Sequence, residues 1–294
     1  MVGLRGRLRF DEPLGRYTAW GIGGPADRFY EPADVDDLIA FVDTLAPDEP
    51  LYWLGLGSNL LVRDGGIRGV VVYTANRLSG LSLLPGSRIR AEAGVPCAKL
   101  ARLAWQSDLL GAEFLAGIPG TVGGALAMNA GAWGGETWPL VVSVEVLGTD
   151  GRRQELAAGQ FQASYRHVSG PPHRGFMSAL FELRVGDGRA AEARVKALLR
   201  QRALSQPTGQ RSCGSVFRNP PGDHAARLIE SCGLKGHRMN GAHVSTKHAN
   251  FIINDRNASA ADVEALIVHV RDEVRTRSGV ELIPEVCIVG EVAP

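Results

Sequence analysis

Apolar residues recur at helical spacing in several stretches of the chain. Over residues 34–46, Leu38, Ile39, Val42 and Leu45 share one face behind Pro32 and Asp34, predicting a helix. A second is predicted over 96–110, with Pro96 near its start and Leu100, Leu103 and Ala104 inward. A polar stretch over 188–205 reads as a helix that must stop before Pro207. Another spans 223–232 and ends at Gly233, a residue suited to a left-handed cap. The clearest helix runs over 259–278. Ser259 and Asp262 form a capping-box pattern, Val263, Leu266, Ile267 and Val270 form the stripe, and Gly279 ends it. Short apolar runs predict strands at 51–54, 69–73, 88–93, 140–147, 176–185, 251–253 and 281–289. Helices and strands mix without strict alternation, which favours an α+β fold over a doubly wound sheet. Breaks around 76–85 and 205–214 separate a small N-terminal part, a glycine-rich middle and a C-terminal α/β part.

Charge narrows the partners. Lys and Arg number 32 against 31 Asp and Glu, a net charge of +1, which argues against nucleic acid or an anionic membrane surface. The first residues carry Arg5, Arg7 and Arg9 without the apolar core of a secretory signal. The uncharged run 114–135 is broken by glycines, Pro119 and Asn129, so it reads as loop-rich rather than membrane-spanning. Cys97, Cys213, Cys232 and Cys287 form no C-x-x-C pair and are expected as free thiols of a cytoplasmic chain. His237, His243 and His248 lack a metal-binding spacing, so no metal site is expected, and Trp20, Trp53, Trp105, Trp133 and Trp138 read as packing residues.

Glycine is the outlier: 37 of 294 residues, against ~7% ordinarily. It clusters at Gly21-Ile22-Gly23-Gly24-Pro25, at Gly55-Leu56-Gly57-Ser58-Asn59 after a predicted strand, and at Gly117-Ile118-Pro119-Gly120-Thr121-Val122-Gly123-Gly124, continuing through Asn129 and Gly131 to Gly135. Glycine serves positive φ or close backbone approach, and successive amides in such turns form anion-binding nests that suit a pyrophosphate. Neither the Rossmann fingerprint nor a P-loop is present.

The run from Gly55 to Asp64 and the run from Ala116 to Gly124 resemble the flavin cradle of the UDP-N-acetylenolpyruvoylglucosamine reductase family. The likeness extends to Ser164-Tyr165-Arg166, Cys213-Gly214-Ser215-Val216-Phe217-Arg218-Asn219-Pro220, Leu228 to Gly236, His248 to Asn254 and Pro284-Glu285-Val286, in order along nearly the whole chain. The chain is similar to the shorter subtype that lacks a long insertion. The resemblance implies a two-part FAD-binding fold of the vanillyl-alcohol oxidase type, with residues 1–77 (joined by 287–294) and 78–205 as its two parts, and a smaller substrate domain over 206–286. It implies NADPH-dependent, FAD-mediated reduction of an enolpyruvyl-UDP-sugar in peptidoglycan precursor synthesis, with reduced flavin N5 passing hydride to the enolpyruvyl group.

Carried over residue by residue, the cradle would be Gly55, Gly57, Ser58, Asn59 and Leu60, then Gly117, Ile118, Pro119, Gly120, Thr121, Gly123 and Gly124, with Asn129, Gly131 and Ala132. Arg166 would grip the substrate carboxylate, since guanidinium offers a bidentate fork and keeps its proton. Ser215 would be the general acid. An ionised Glu285 would repel the developing negative charge, so the reading calls for it protonated or paired with Arg166 in the reactive complex. Tyr165 and Asn219 would touch substrate. One departure stands out: a lysine found in parts of the family is Ser205 here, leaving Arg202, Arg211 or Lys235 as substitutes. Two rival readings stay open. Another FAD oxidoreductase of the same fold is one, although a histidyl-flavin in the cradle is excluded because the first histidine is His167. A non-catalytic nucleotide-binding module is the other. Oligomeric state is left open, a monomer included.

Overall fold

A computed structural model describes residues 3–293. The chain forms two compact units, one made of the residues through Arg9, Phe29–Leu56 and Gly69–Arg200, the other of Phe10–Arg28, Gly57–Arg68 and the residues from Gln201 onward. Strands Arg7–Pro13, Pro25–Glu31 and Ile67–Tyr73 carry the chain between them.

The first unit is built on an antiparallel sheet with strand order Arg153–Ala157, Val141–Gly148, His173–Glu182, Arg88–Glu92, Leu81–Leu84. Ile89, Ala91, Ala179 and Phe181 of this sheet share a buried cluster with Leu100 and Ala104 of helix Cys97–Gln106 and Val122 and Leu126 of helix Val122–Ala127. A second core gathers Leu38 and Phe41 of helix Val35–Val42 with Tyr30, Val70 and Val72. Asp34 caps that helix by accepting from the Asp37 amide. Two expectations change here. The helix expected over 96–110 stops at Gln106, because Asp108 turns left-handed at φ 53° and its carboxylate receives the Gly188 amide at 3.1 Å. Leu109–Leu110 then pairs as a short strand with Arg184–Val185, so the strand expected over 176–185 is interrupted at Leu183. The six-residue helix Val122–Ala127, with two glycines in its first turn, carries too little helical signal to be expected.

In the second unit the expected capping box forms: the Asp262 amide donates to Ser259 Oγ at 3.0 Å and the Ser259 amide to Asp262 Oδ2 at 2.9 Å. Helix Ala260–Ser278 buries Val263, Leu266, Ile267, Val270 and Val274 and ends at Gly279, φ 71°. Its stripe packs with Leu228, Ile229, Val244 and Ile252. Its first turn is also tied to residues 63–64: Asp64 accepts from the Ala260 and Ala261 amides at 2.9 and 3.0 Å, and Arg63 forks onto Glu264 at 3.0 and 2.7 Å. The strand expected over 281–289 contracts to Cys287–Val289, which runs parallel to Leu60–Val62. Before it, Pro284, which lacks an amide hydrogen, makes only an isolated bridge to Phe217. The helix expected over 223–232 spans Ala225–Ser231. Among the described residues, no helix is long and apolar enough to cross a membrane.

Glu145 is one of the first unit's acid-sensitive carboxylates. Its side chain, 12% exposed, receives Ser178 Oγ at 2.7 Å and pairs with Arg90 and Arg153. Desolvation opposes its charge, but these donors prevail and hold its pKa below the ordinary 4.5. A depressed carboxylate pKa gives stability that is present above the unfolded value and lost as pH falls through the folded one. Glu145→Gln is expected to cost ~1–3 kcal/mol at neutral pH. In thermal scans its deficit against the parent should shrink as pH drops below about 4.5; a deficit independent of pH would overturn this account.

Candidate active site

In the first unit, strand Leu51–Leu54 delivers Gly55 against Thr121: a Cβ at 55 would stand 2.4 Å from Thr121 Oγ1. Two of the sequence's glycine clusters therefore touch. Gly123 is bare for a similar reason, since its Cβ would meet that of Ala93 at 2.9 Å, and its amide donates to Ala93 O at 2.8 Å. Gly117 lies under the Trp133 indole, whose nearest atom would be 2.7 Å from a Cβ. The Ile118 amide donates to Leu115 O at 3.1 Å and Pro119 has none to give. Gly124 differs, with nothing within 4 Å of an added Cβ. Among the described residues, no protein group accepts from the amides of Gly120, Thr121 or Gly124. Unused donors beside a bare Cα and open space fit the diphosphate of a dinucleotide such as FAD.

Downstream, Gly131–Ala132 pairs with Gly135–Glu136 across a turn in which Trp133 and Gly134 are both left-handed, φ 52° and 81°. A second hairpin, Gln162–Ser164 against His167–Ser169, carries Tyr165 and Arg166 at its tip. Arg166 is also left-handed, φ 55°. Its guanidinium lies 5.1 Å from the Tyr165 ring centroid, and Nη2 donates to Gly131 O at 3.3 Å. Asn129, expected among the cofactor contacts, has its side chain committed within the protein. Nδ2 donates to Glu136 Oε2 at 2.9 Å and to Ser164 O at 3.2 Å, while Oδ1 accepts from the Trp138 amide at 3.1 Å.

In the second unit, Gly57 takes φ 57° with its Cα face on Tyr17 O, which a Cβ would approach to 2.2 Å. No protein group accepts from the Gly57 or Ser58 amides among the described residues. Asn59 Nδ2 donates to Glu285 O at 3.1 Å, its carbonyl accepts the Cys287 amide at 3.0 Å, and Leu60 lies opposite Cys287 in the parallel ladder. Ser215 follows Gly214, φ 75°. The next residue, Val216, accepts from the Glu285 amide at 2.7 Å and donates to Asn250 O at 2.9 Å. Ser215 and Glu285 thus sit on adjoining backbone segments. Asn250, 3% exposed, clamps the first by exchanging two bonds with Phe217, at 2.9 and 2.8 Å. Reading the sequence missed this clamp, although Asn250 lies in the His248–Asn254 motif that signals it.

The remaining candidates are placed individually. Asn219 Oδ1 accepts from the Ala225 amide at 3.1 Å, starting helix Ala225–Ser231. Arg202 donates to Gln206 Oε1 at 2.8 Å, and burial lowers its pKa. Arg211 lies along Gly21, with Cδ 3.3 Å from where a Cβ would be, and Lys235 pairs with Glu230 at 2.6 Å. Cys213 donates to Leu60 O at 3.4 Å, and burial pushes its thiol up to about 12, so it stays neutral. His237 stacks on His269, His243 faces Arg238 and Asp255, and burial lowers the pKa of His248. No group of three or more His, Cys, Asp or Glu among the described residues could hold a metal ion.

Fold and cradle define a flavin-binding oxidoreductase class, and comparison agrees: residues 26–157 match the family model described as FAD binding domain. Residues 206–289 match that of the UDP-N-acetylenolpyruvoylglucosamine reductase C-terminal domain. The chain is 60% identical over 287 residues to the UDP-N-acetylenolpyruvoylglucosamine reductase of Methylococcus capsulatus, covering 98% of this chain and 94% of that protein. It is 58% identical to the Alkalilimnicola ehrlichii protein of the same name, with 97% and 96% covered. A crystal structure of UDP-N-acetylenolpyruvylglucosamine reductase from Thermus caldophilus superposes with a TM-score of 0.78 at 31% identity, covering 97% of this chain and 99% of the other. This chain belongs to the UDP-N-acetylenolpyruvoylglucosamine reductase family.

Gly124 offers a test of the cradle. Its φ is ordinary for a helix and its Cβ space is empty, so Gly124→Ala should stabilise the flavin-free protein by ~0.5–1 kcal/mol. The same methyl group should weaken FAD binding about tenfold, ~1.4 kcal/mol. Flavin fluorescence titration beside thermal unfolding reads both, and unchanged flavin affinity would remove Gly124 from the cradle.

Proposed function

We propose that this chain reduces the enolpyruvyl ether of UDP-N-acetyl-3-O-(1-carboxyvinyl)-glucosamine to the lactyl ether of UDP-N-acetylmuramate, in the cytoplasm, with NADPH as co-substrate. FAD, bound non-covalently, supplies the two-electron chemistry between NADPH and the enolpyruvyl double bond. The residues that would hold it are the amide-bearing turns at Gly120, Thr121 and Gly124 and at Gly57 and Ser58. Residues 1–77 with 287–294, and 78–205, then form the flavin-binding parts, and 206–286 the part that takes the UDP-sugar.

Reduction leaves negative charge at C2, spread into the adjoining carboxylate. Arg166 binds that carboxylate, and its attraction grows as the charge develops, which is what lowers a barrier. Ser215 Oγ delivers the proton to C2; a hydroxyl is a weak acid, but the carbon it protonates is strongly basic. Glu285, carried beside Ser215, hydrogen-bonds at the same centre. Tyr165, Arg202 and Asn219 contact the sugar nucleotide. The observation that carries the assignment of roles is the backbone pairing that sets Ser215 next to Glu285, through the 2.7 Å bond from the Glu285 amide to Val216 O, in a chain of this family.

The purified protein should be yellow and bleach with NADPH without air. Ser215→Ala should leave that bleaching nearly intact and slow reoxidation by the enolpyruvyl substrate by ~10²–10⁴. Equal slowing of both half-reactions in stopped-flow traces would mean that Ser215 holds the flavin instead.

A further inference from the structure

The hairpin that carries Arg166 has almost no core of its own. Gln162, Ala163 and Ser164 are exposed, as are His167 and Ser169. Arg166 also occupies a left-handed conformation at φ 55°, which costs about 1–3 kcal/mol and persists only where its surroundings enforce it. Of the two strands only Val168 packs against the unit's core, so burial secures one point of the hairpin and hydrogen bonds must secure its tip.

One side chain is placed to do this. Asn129 is 1% exposed and left-handed, φ 41°. One Nδ2 hydrogen reaches Ser164 O, directly before the Tyr165–Arg166 tip, and the other reaches Glu136 Oε2. Oδ1 receives the Trp138 amide. Trp138 is itself anchored, 6% exposed, with its indole donating to Leu126 O at 2.8 Å. Two residues beyond Asn129, Gly131 O receives the Arg166 guanidinium. The amide thus joins the tip end of the Arg166 hairpin to a buried anchor, and the same short segment supplies the carbonyl that the guanidinium meets.

We infer that Asn129, held by Glu136, is a positioning residue that fixes the guanidinium of Arg166 for the substrate carboxylate, rather than a flavin contact. The inference rests on the reductase reading above. Asparagine meets both demands of the position: it tolerates left-handed backbone, and it offers two donors with one acceptor. Aspartate keeps only the acceptor and faces Glu136; glycine keeps only the backbone.

The test uses the FAD-loaded protein in stopped flow. Asn129→Gly should keep flavin content, and its reduction by NADPH should stay within about twofold, while reoxidation by the enolpyruvyl-UDP-sugar slows ~10²-fold, the scale of a misplaced reacting group. Glu136→Gln, which still accepts from Nδ2, should stay near the parent, and Glu136→Ala should follow Asn129→Gly. In an Arg166→Ala background, Asn129→Gly should add no further loss, because it acts through the residue already removed. Additive losses, lost flavin, or equal slowing of both half-reactions would overturn the inference. Amide hydrogen exchange gives a readout free of activity: residues 162–169 should exchange about tenfold faster in Asn129→Gly, and unchanged exchange would also overturn it. A parent protein that enolpyruvyl-UDP-sugar fails to reoxidise would defeat the reductase reading instead, leaving the exchange result to decide the positioning role. Should Asn129→Gly not accumulate folded, Glu136→Ala frees the same amide from its other partner and should loosen residues 162–169 likewise.

Discussion

Three residue pairs hold the second unit's candidate residues in place. Leu60, Leu61 and Val62 run parallel to Cys287, Ile288 and Val289, joining segments whose flanking residues Asn59 and Glu285 lie 226 positions apart. Before the ladder lie the unused amides of Gly57 and Ser58. After it, Arg63 and Asp64 seize the first turn of helix Ala260–Ser278. Just upstream of its other strand, Glu285 reaches back to Val216 and so to Ser215. A one-residue slip would turn Leu61, 1% exposed, out of its core and shift Glu285 along Val216, so burial of one leucine and placement of one carboxylate are a single constraint.

The first unit reaches precision differently. Its sheet is antiparallel and its core well filled, yet the residues nearest the proposed chemistry sit on turns that leave ordinary backbone space: Asn129, Trp133 and Arg166 are all left-handed without being glycine. Such positions persist where surroundings over-determine them. Here those surroundings are Trp138, buried among Phe161 and Phe176, and the Asn129 amide. The glycines of the same region divide into two kinds. Gly55 and Gly123 are bare because Thr121 and Ala93 stand against them, whereas Gly124 opens on empty space. An unusual glycine content is therefore part close packing and part open backbone.

Local signals in the sequence were legible. Ser259, Asp262 and Gly279 bound a helix because each acts within a few residues of its own position, and Gly233 ends another at φ 69°. The glycine runs stood out in the sequence because few local demands explain them together. What stayed hidden was set by distant partners. Asp108 ends a helix early by capping Gly188, and Pro284 breaks a strand whose apolar pattern looked continuous. Asp64 stood in a motif read as cradle, yet its carboxylate serves a helix some two hundred residues on. Where the Asn129 side chain points was equally hidden, because its partners Glu136, Trp138 and Ser164 stand further along the chain.

The two units thus secure their candidate side chains by opposite means. Ser215 and Glu285 ride on segments whose backbones are paired and clamped by Asn250, so their placement follows from main-chain register and tolerates change in the side chains around them. Arg166 rides on an exposed hairpin whose own pairing fixes its shape but not its attitude to the rest of the unit. Val168 packs one strand against the core, and the Asn129 side chain, from a left-handed position, holds the other at Ser164. Glycine would satisfy the backbone there, and glutamine would supply the donors from one methylene too far. Asparagine alone meets both demands, and through Ser164 O its buried amide reaches the strand that leads into the Tyr165–Arg166 tip.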